Sequence, residues 1–399
     1  MWDGQQTGTA LIQFEERIQG VKGSRGQGVN RLRQGHSRVI RELLNSLNFS
    51  RRHGLRRFHE SIWAAQRPLI FFLCLVVIAG CDNRAEFLLS GNTMGTTYNI
   101  KIIADRGIDI ESLQKKIDQR LEQINDSMST YRRKSEISRF NRFHEVGANF
   151  PITSDFLNVM TTGRKIYEYS DGAWDATIAP LLKLWGFYEK EGDSNVPEAE
   201  DIRAILPNIG FHHILIRSGK FLVKVRPRVT LDLGSIAKGY GVDQIADLLK
   251  AEGIGSALVE IGGEVFAYGR KPDGSPWTVG INTPRKGSPL DSVYVAIPLT
   301  AAALATSGDY RQFFESGGKS YSHILDPRTG YPVNNGVVSV SVLAGSCTLA
   351  DGLATAIMVM GAENGLQLIE RLDGVECLII LHDGENRLRD LHSSGFPKS

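Results

Sequence analysis

The sequence predicts an α+β fold, with mixed, largely antiparallel sheets flanked by helices in one compact or bilobal catalytic unit. Three observations predict it. Some segments place apolar residues at the three-to-four spacing of a helix, while others are short apolar runs of strand length. The two kinds alternate without the strict strand–helix–strand rhythm of a doubly wound sheet. No internal repeat and no Pro- or Ser-rich linker divides the chain from residue 91 onward.

The first ninety residues read differently from the rest. Between Arg25 and Arg67 stand ten arginines against two acidic residues, Glu42 and Glu60. The whole chain has a net charge of only +2, so no nucleic-acid partner is expected. The basic block instead precedes the apolar run Leu69–Gly80. That run is shorter than the roughly 20 residues that cross a bilayer and suits the h-region of a signal peptide. Ile78-Ala79-Gly80-Cys81 resembles a bacterial lipobox, in which the cysteine thiol takes a lipid and becomes the mature N-terminus. A plain signal peptide or a buried strand is the other reading. Asp82 resembles an inner-membrane retention signal. The expected organisation is an extension over residues 1–66, outside the folded protein, an h-region over 67–80, a tether over 81–90 and a catalytic domain over 91–399. The expected location is the periplasmic face of the cell inner membrane, anchored through Cys81.

Within the domain, Tyr98–Ile103 alternates like a strand. Ile110, Leu113, Ile117, Leu121, Ile124 and Met128 lie at helical spacing. A second helix is expected over Ser154–Tyr169, after Pro151 and capped by Thr153 or Ser154. His213–Val225 reads as a hairpin around Ser218-Gly219. Val229–Leu233 reads as a strand leading into a helix that follows Gly234 and ends at Gly253. Strands are expected at Ala257–Ile261, Val265–Tyr268, Trp277–Ile281, Val293–Ile297, Val337–Leu343 and Val375–Leu381, and helices at Leu349–Met360 and Asn364–Leu372. Cys347 and Cys377 stand alone, with no CxxC pair to suggest zinc.

The common nucleotide and hydrolase signatures are absent. Gly317-Gly318-Lys319-Ser320 mimics the end of a P-loop, but Phe313 stands where its first glycine belongs, so the stretch reads as a hairpin turn. Gly239-Tyr240-Gly241 lacks the third glycine of a dinucleotide fingerprint. No HExxH or GxSxG occurs.

Five constellations remain. Asp351 and Thr355 are four apart at a helix start and share a face; a carboxylate, a hydroxyl and nearby carbonyls are hard ligands of the kind Mg²⁺ takes, or else an exposed helix end. Asp232-Leu-Gly-Ser-Ile-Ala-Lys238-Gly239 opens a helix, where backbone N–H groups favour anions, Lys238 meets a phosphate and Asp232 accepts from a ribose or base; the plain reading is a capped helix with a surface lysine. His323 precedes a Pro/Gly turn and is suited to proton transfer, or is structural. Met128-Ser-Thr-Tyr131, followed by Ser135–Asn141, brings an aromatic ring into a loop, to stack on a flat ligand or to plug the core. Asp171-Gly-Ala-Trp174-Asp175 is a ligand loop or a cap beside a buried tryptophan.

In this order the motifs resemble the ApbE family of FAD:protein FMN transferases. The matching stretches are Gly91–Thr96, Met128–Tyr131, Ala173–Asp175, Asp232–Tyr240, Glu260–Glu264, Thr306–Tyr310, His323–Gly330 and Asp351–Thr355. The resemblance implies FAD as substrate, contacted by Met94, Tyr131, Ala173, Trp174, Asp175, Asp232, Lys238 and Ile324. It implies Mg²⁺ held by Ser235, Asp351, Ala354 and Thr355; the family usually has Ala at position 235 and uses its carbonyl. It implies attack by a threonine hydroxyl of an acceptor protein, a subunit of a membrane redox pump, on the FMN phosphorus, with AMP released. His323 is the expected base and Asp309 the reserve. A pyrophosphatase splitting FAD to FMN and AMP, or a non-catalytic FAD-binding lipoprotein, is the alternative.

Overall fold

The computed structural model describes residues 83–188, 196–285, 287–289, 292–308, 313–316, 319–383 and 387–397. The extension, the apolar run and Cys81 lie outside the described residues. Ala85–Ser399 belongs to a single unit.

An eight-stranded sheet carries the fold. Its strands are β1 (Arg84–Thr93), β2 (Thr96–Asp105), β6 (Ser256–Ile261), β7 (Glu264–Tyr268), β10 (Ala302–Gly308), β13 (Val337–Ala344), β14 (Glu376–His382) and β15 (Leu388–His392), neighbours in that order. Every pair from β2 to β15 is antiparallel. Away from the edge strands β1 and β15 both faces are buried, and alternation along the strands, interrupted by an irregularity at Val337–Ser339, divides their residues between two cores. Ile100, Ile102, Ala257, Val259, Ala303, Ala305, Val340, Val342, Cys377 and Ile379 face the main core. Their neighbours Ile103, Leu258, Leu304, Val338, Leu378 and Ile380 face a second core, closed by the hairpin of β8 (Trp277–Asn282) and β9 (Val293–Leu299). Each large side chain so buried stabilises the fold by about 1.5–3 kcal/mol before entropy is counted. Trp277 finds polar partners as well, its indole N–H donating to Ser256 Oγ and Tyr268 O.

Helices cover the main-core face. α1 (Ile110–Met128) is capped by Asp109, whose side chain accepts from Ser112 N, and buries Leu113, Ile117, Leu121, Ile124 and Met128 as its spacing predicts. α2 (Glu136–Arg142) follows, capped by Ser135. β3 (Phe150–Pro151) precedes α3 (Ser154–Tyr169), capped by Thr153. α4 (Ala179–Leu184) and α5 (Ala199–Ile205) build a small third cluster around Leu181, Trp185 and Ile202. β4 (Ile214–Arg217) and β5 (Phe221–Lys224) form the expected hairpin, with β3 as a third strand. α6 (Ala237–Ala251) and α7 (Cys347–Met360) cross on the sheet, and α8 (Ala362–Ile369) follows. β11 (Phe313–Ser316) pairs antiparallel with β12 (Lys319–Ser322); Gly317 and Gly318, where the sequence predicts the turn, lie outside the described residues.

Three expectations change. Residues 84–90, read as tether, belong to β1. Its side chains are mostly half or fully exposed and its alternate positions polar, so the hydrophobic signal of an edge strand is faint. Val229–Leu233 is not a strand, because its backbone bonds go elsewhere, as described below. The helix expected after Gly234 begins at Ala237. β10, α2, α5 and β15 carry too short or too mixed a pattern to read from sequence.

Candidate active site

Val229–Leu233 runs into the core without a strand partner, Val229, Leu231 and Leu233 being buried. Asn141, the next-to-last residue of α2, takes the partner's place. Its Nδ2 donates to Leu231 O at 2.9 Å and its Oδ1 accepts from Leu231 N at 2.7 Å. Asp232 N then donates to Ala176 O at 2.8 Å. A buried backbone must be paired somewhere, and here a carboxamide imitates the sheet ladder. Asp232 is thereby fixed, and its carboxylate accepts from Gly234 N at 2.7 Å and from the Tyr188 hydroxyl at 2.6 Å. Burial first, and the Asp232 charge second, push the Tyr188 hydroxyl far above its ordinary range. The Tyr131 ring is exposed.

α6 and α7 approach so closely that only glycine fits at the crossing. A Cβ on Gly239 would lie 2.3 Å from Cys347 O and 2.8 Å from Asp351 Cβ. The Gly239 N–H donates to Asp351 Oδ2 at 2.9 Å, joining two segments that the sequence separates by 112 residues. Asp351 is 3 % exposed. Burial pushes its carboxyl up, and the Lys238 charge and the Gly239 N–H oppose this only in part. Thr355 Oγ1 lies 3.0 Å from Ser307 Oγ and donates back to Asp351 O at 3.5 Å. Ala354 is fully buried. Ser235 Oγ accepts from the Trp174 indole N–H at 2.9 Å. Among the described residues no cluster of three or more His, Cys, Asp or Glu is placed to hold a metal. A lone buried carboxylate with hydroxyls and carbonyls around it suits Mg²⁺, which takes one or two protein carboxylates and completes its shell with water and phosphate oxygens.

Lys238 turns toward the β6–β7 hairpin, where its ammonium pairs with the buried Glu264 carboxylate. At Gly262, whose φ of +58° suits glycine, a Cβ would lie 2.7 Å from Thr96 Cγ2 and 3.2 Å from Lys238 Cδ. Met94, at φ 50°, reaches the same corner and packs on Gly241. Glu260, fully buried, accepts from Asn99 Nδ2 at 2.9 Å and Gly263 N at 2.7 Å. Burial pushes its carboxyl up to about 7, against those two bonds and the Lys238 charge.

The remaining residues border this core. Ala173 and Trp174 are buried, the indole packed over Gly163 of α3. Both Asp175 oxygens are spent inside the fold, on Thr177 N and Oγ1 and on Phe211 N, and burial pushes the carboxyl up. A cavity of about 500 Å³ opens beside this loop, between Asp171, Gly172, His212 and Arg328; its lining includes Asp175 but none of Asp232, Lys238 or Asp351. His323 is half-buried after β12, and Ile324 is buried, its carbonyl accepting from Val333 N. Asp309 lies outside the described residues.

The structure thus sets the Gly239 end of the Asp232–Gly239 segment against Asp351, with Thr355 one turn further along α7; Asp232 and Ser235 are held by Tyr188 and Trp174 instead. Sequence reasoning gave no role to Tyr188, Asn141, Glu264 or Asp243, the last of which lies on α6 one turn after Gly239. Glu264 left a signal as the end of the Glu260-Ile-Gly-Gly-Glu264 stretch, and Asn141 as the end of the Ser135–Asn141 stretch.

Comparison with known proteins places this arrangement. The sequence model of the ApbE family matches residues 94–379. A Vibrio cholerae protein named FAD:protein FMN transferase is 46 % identical over 304 residues, covering 76 % of this chain and 90 % of its own. A Haemophilus influenzae protein of the same name is 36 % identical over 327 residues, covering 80 % and 94 %. Among solved structures, the flavin transferase ApbE of Vibrio cholerae superposes with a TM-score of 0.71 at 43 % identity, over 78 % of this chain and 98 % of that one. A variant of that enzyme with a histidine replaced by glycine matches equally, at a TM-score of 0.70. The apo form of the Pseudomonas stutzeri flavinyl transferase ApbE gives 0.70 at 39 % identity, over 78 % and 96 %. With the family's sequence spanning most of the described residues and its fold matched throughout them, this chain belongs to the ApbE family.

Proposed function

We propose that this chain is a Mg²⁺-dependent FAD:protein FMN transferase that moves FMN from FAD onto a threonine hydroxyl of an acceptor protein and releases AMP. One observation carries the reading: the Gly239 N–H to Asp351 Oδ2 bond, which sets a buried, under-compensated carboxylate against the Asp232–Gly239 segment. A carboxylate that burial disfavours and one N–H only partly satisfies is a site that gains by taking a cation. Asp351, Thr355 Oγ1 and the carbonyls of Ser235 and Ala354 would hold the metal. Bound Mg²⁺ supplies Lewis-acid stabilisation of charge that develops on phosphate oxygens.

The protein's own groups do the rest. Tyr188 and Gly234 hold the Asp232 carboxylate in one orientation for a ribose or base donor. Lys238 passes from Glu264 to a pyrophosphate oxygen as a point charge when FAD binds. The threonine Oγ forms a new P–O bond at the FMN phosphorus while the bond from that phosphorus to the bridging oxygen breaks, and AMP leaves with that oxygen. His323 takes the hydroxyl proton, with Asp309 in reserve. A histidine is also the residue replaced in the Vibrio variant.

Cys81 is the lipid site, tethering the enzyme at the periplasmic face of the inner membrane, where subunits of a membrane redox pump are its acceptors. The support is the lipobox-like Ile78–Cys81 at the end of an apolar run. The decisive experiment incubates the purified protein with FAD, Mg²⁺ and an acceptor and asks by mass spectrometry whether the acceptor gains FMN. Free FMN and AMP without a modified acceptor would make it a hydrolase, and intact FAD a carrier. Asp351→Ala should lower transfer by about 10²–10³-fold or more while the chain still folds. Full activity of that variant would remove the metal assignment.

A further inference from the structure

We propose that Asp243, which is not in the reacting centre, is the positioning residue that sets the enzyme's affinity for its divalent cation. The inference rests on the reading that Asp351 holds that cation, and it adds the device that holds Asp351.

Gly239 and Asp243 are four residues apart on α6 and so share one face. That face meets the N-terminus of α7. The Asp243 carboxylate receives four hydrogen bonds there. Oδ1 accepts from Cys347 N at 2.8 Å, and Oδ2 accepts from Ser346 Oγ at 2.7 Å, Thr348 N at 2.9 Å and Thr348 Oγ1 at 2.6 Å. One turn earlier on α6, the Gly239 N–H grips Asp351, which lies one turn later on α7. The helices are therefore pinned at two levels of the same seam, and Asp351 sits at the second level.

A cap alone would not need this arrangement. Ser346 already caps α7, its Oγ accepting from Leu349 N. That serine hydroxyl has one proton to give, and it gives it to Asp243, so the acceptor on α6 also orients the local cap. Two backbone N–H groups left orphaned by the helix start are satisfied from outside the helix. Four bonds from one carboxylate on a neighbouring helix fix the rotation and translation of α7 against α6, and hence the direction of the Asp351 carboxylate. Groups that hold a ligating carboxylate typically change metal affinity by about 10–100-fold when altered.

The test uses the full chain and Mn²⁺ alone as a spectroscopic probe, with Mg²⁺-dependent FMN transfer measured beside it. Asp243→Asn keeps the size but turns an N–H₂ toward groups that are themselves donors. It is expected to weaken Mn²⁺ binding, read by electron paramagnetic resonance, by about ten-fold. The Mg²⁺ concentration for half-maximal transfer should rise in parallel, while kcat at saturating Mg²⁺ stays within about two-fold. Amides of Cys347 and Thr348 should exchange faster. Unchanged Mn²⁺ binding with faster exchange at those amides would overturn the proposal, as would a large loss of kcat with the Mg²⁺ requirement unchanged. Thr348→Val, which removes one of the four donors, serves if Asp243→Asn does not fold; it should move the Mn²⁺ affinity in the same direction by a smaller factor, and no movement overturns the proposal. Asp351→Ala separates the two ideas. If it binds Mn²⁺ like wild type, the metal reading itself is wrong. If it loses Mn²⁺ and Asp243→Asn does not, that reading stands and this one falls.

Discussion

Gly239→Ala sets two physical effects against each other. In a helix interior alanine is favoured over glycine by about 1 kcal/mol, so on propensity alone the substitution should stabilise α6. The contacts decide otherwise. The new Cβ would lie 2.3 Å from Cys347 O, and ordinary contact begins near 3.4 Å, so α7 must retreat by about 1.1 Å at that point. The obstacle is backbone, which cannot rotate away as a side chain would. Overpacking of this kind costs about 1–3 kcal/mol. The retreat also stretches the 2.9 Å bond from Gly239 N to Asp351 Oδ2, and a buried charged acceptor left unsatisfied costs about 1–3 kcal/mol more. The net expectation is a loss of about 1–5 kcal/mol in stability. A displacement near 1 Å at a reacting centre lowers turnover by about 10²-fold. Denaturant unfolding gives the first number and FMN transfer to an acceptor the second. A variant with raised unfolding midpoint and undiminished transfer would refute the claim that this crossing sets the site.

Other perturbations test other parts of the structure. Glu260 carries a carboxyl pushed up to about 7, so below the ordinary range near 4.5 both folded and unfolded states hold its proton, and between 4.5 and 7 only the folded state does. Stability should therefore fall as pH rises through that window, by about 3 kcal/mol from this group, and Glu260→Gln should flatten the fall and be the more stable form at pH 8 in urea titrations. Asn141→Ala removes both bonds to Leu231 and should cost about 1–3 kcal/mol and raise the KM for FAD more than it lowers kcat; an unchanged KM would mean that Asp232 is held by other contacts. Lys224 is fully buried, with the Asn141 carbonyl at 3.5 Å and the Phe140 ring 4.6 Å away and no carboxylate paired with it among the described residues, and burial pushes its ammonium down to about 8. Its folded pKa lies below the unfolded value near 10.5, so stability from this group should rise as pH climbs from about 8 toward 10, and Lys224→Met should abolish that rise and be more stable at pH 7.

The helices that read cleanly from sequence were those whose cap and apolar period agree. Thr153 at the start of α3 is a local signal, and β2, β6, β7, β13 and β14 of the large sheet announce themselves as apolar runs because both their faces are covered. Where the signal failed, the reason is tertiary. Val229–Leu233 has the composition of a strand, but its hydrogen bonds are taken by the side chain of Asn141 and by Ala176 O, which no local pattern reveals. β1 is an edge strand with polar alternates, and nothing in residues 84–90 distinguishes it from a tether.

The same division runs through the site. Asp351 and Thr355 were visible because their spacing of four is a property of one helix. The role of Asp243 was not, and Glu264 was visible only as the end of a motif, because each acts on a partner far away in sequence: Asp243 on a cap about a hundred residues later, Glu264 on a lysine of the preceding helix. A carboxylate with four short bonds to a helix start is ordinary in sequence and specific only once the register of two helices is known. The motif residues therefore mark where chemistry can occur, while the residues between the motifs determine whether those groups face one another. It follows that swapping the Asp232–Tyr240 stretch alone between members of this family should move the metal requirement only when Asp243 and the Ser346–Thr348 cap travel with it. A swap of the stretch by itself that transferred the full Mg²⁺ dependence would show that the seam is not where that property resides.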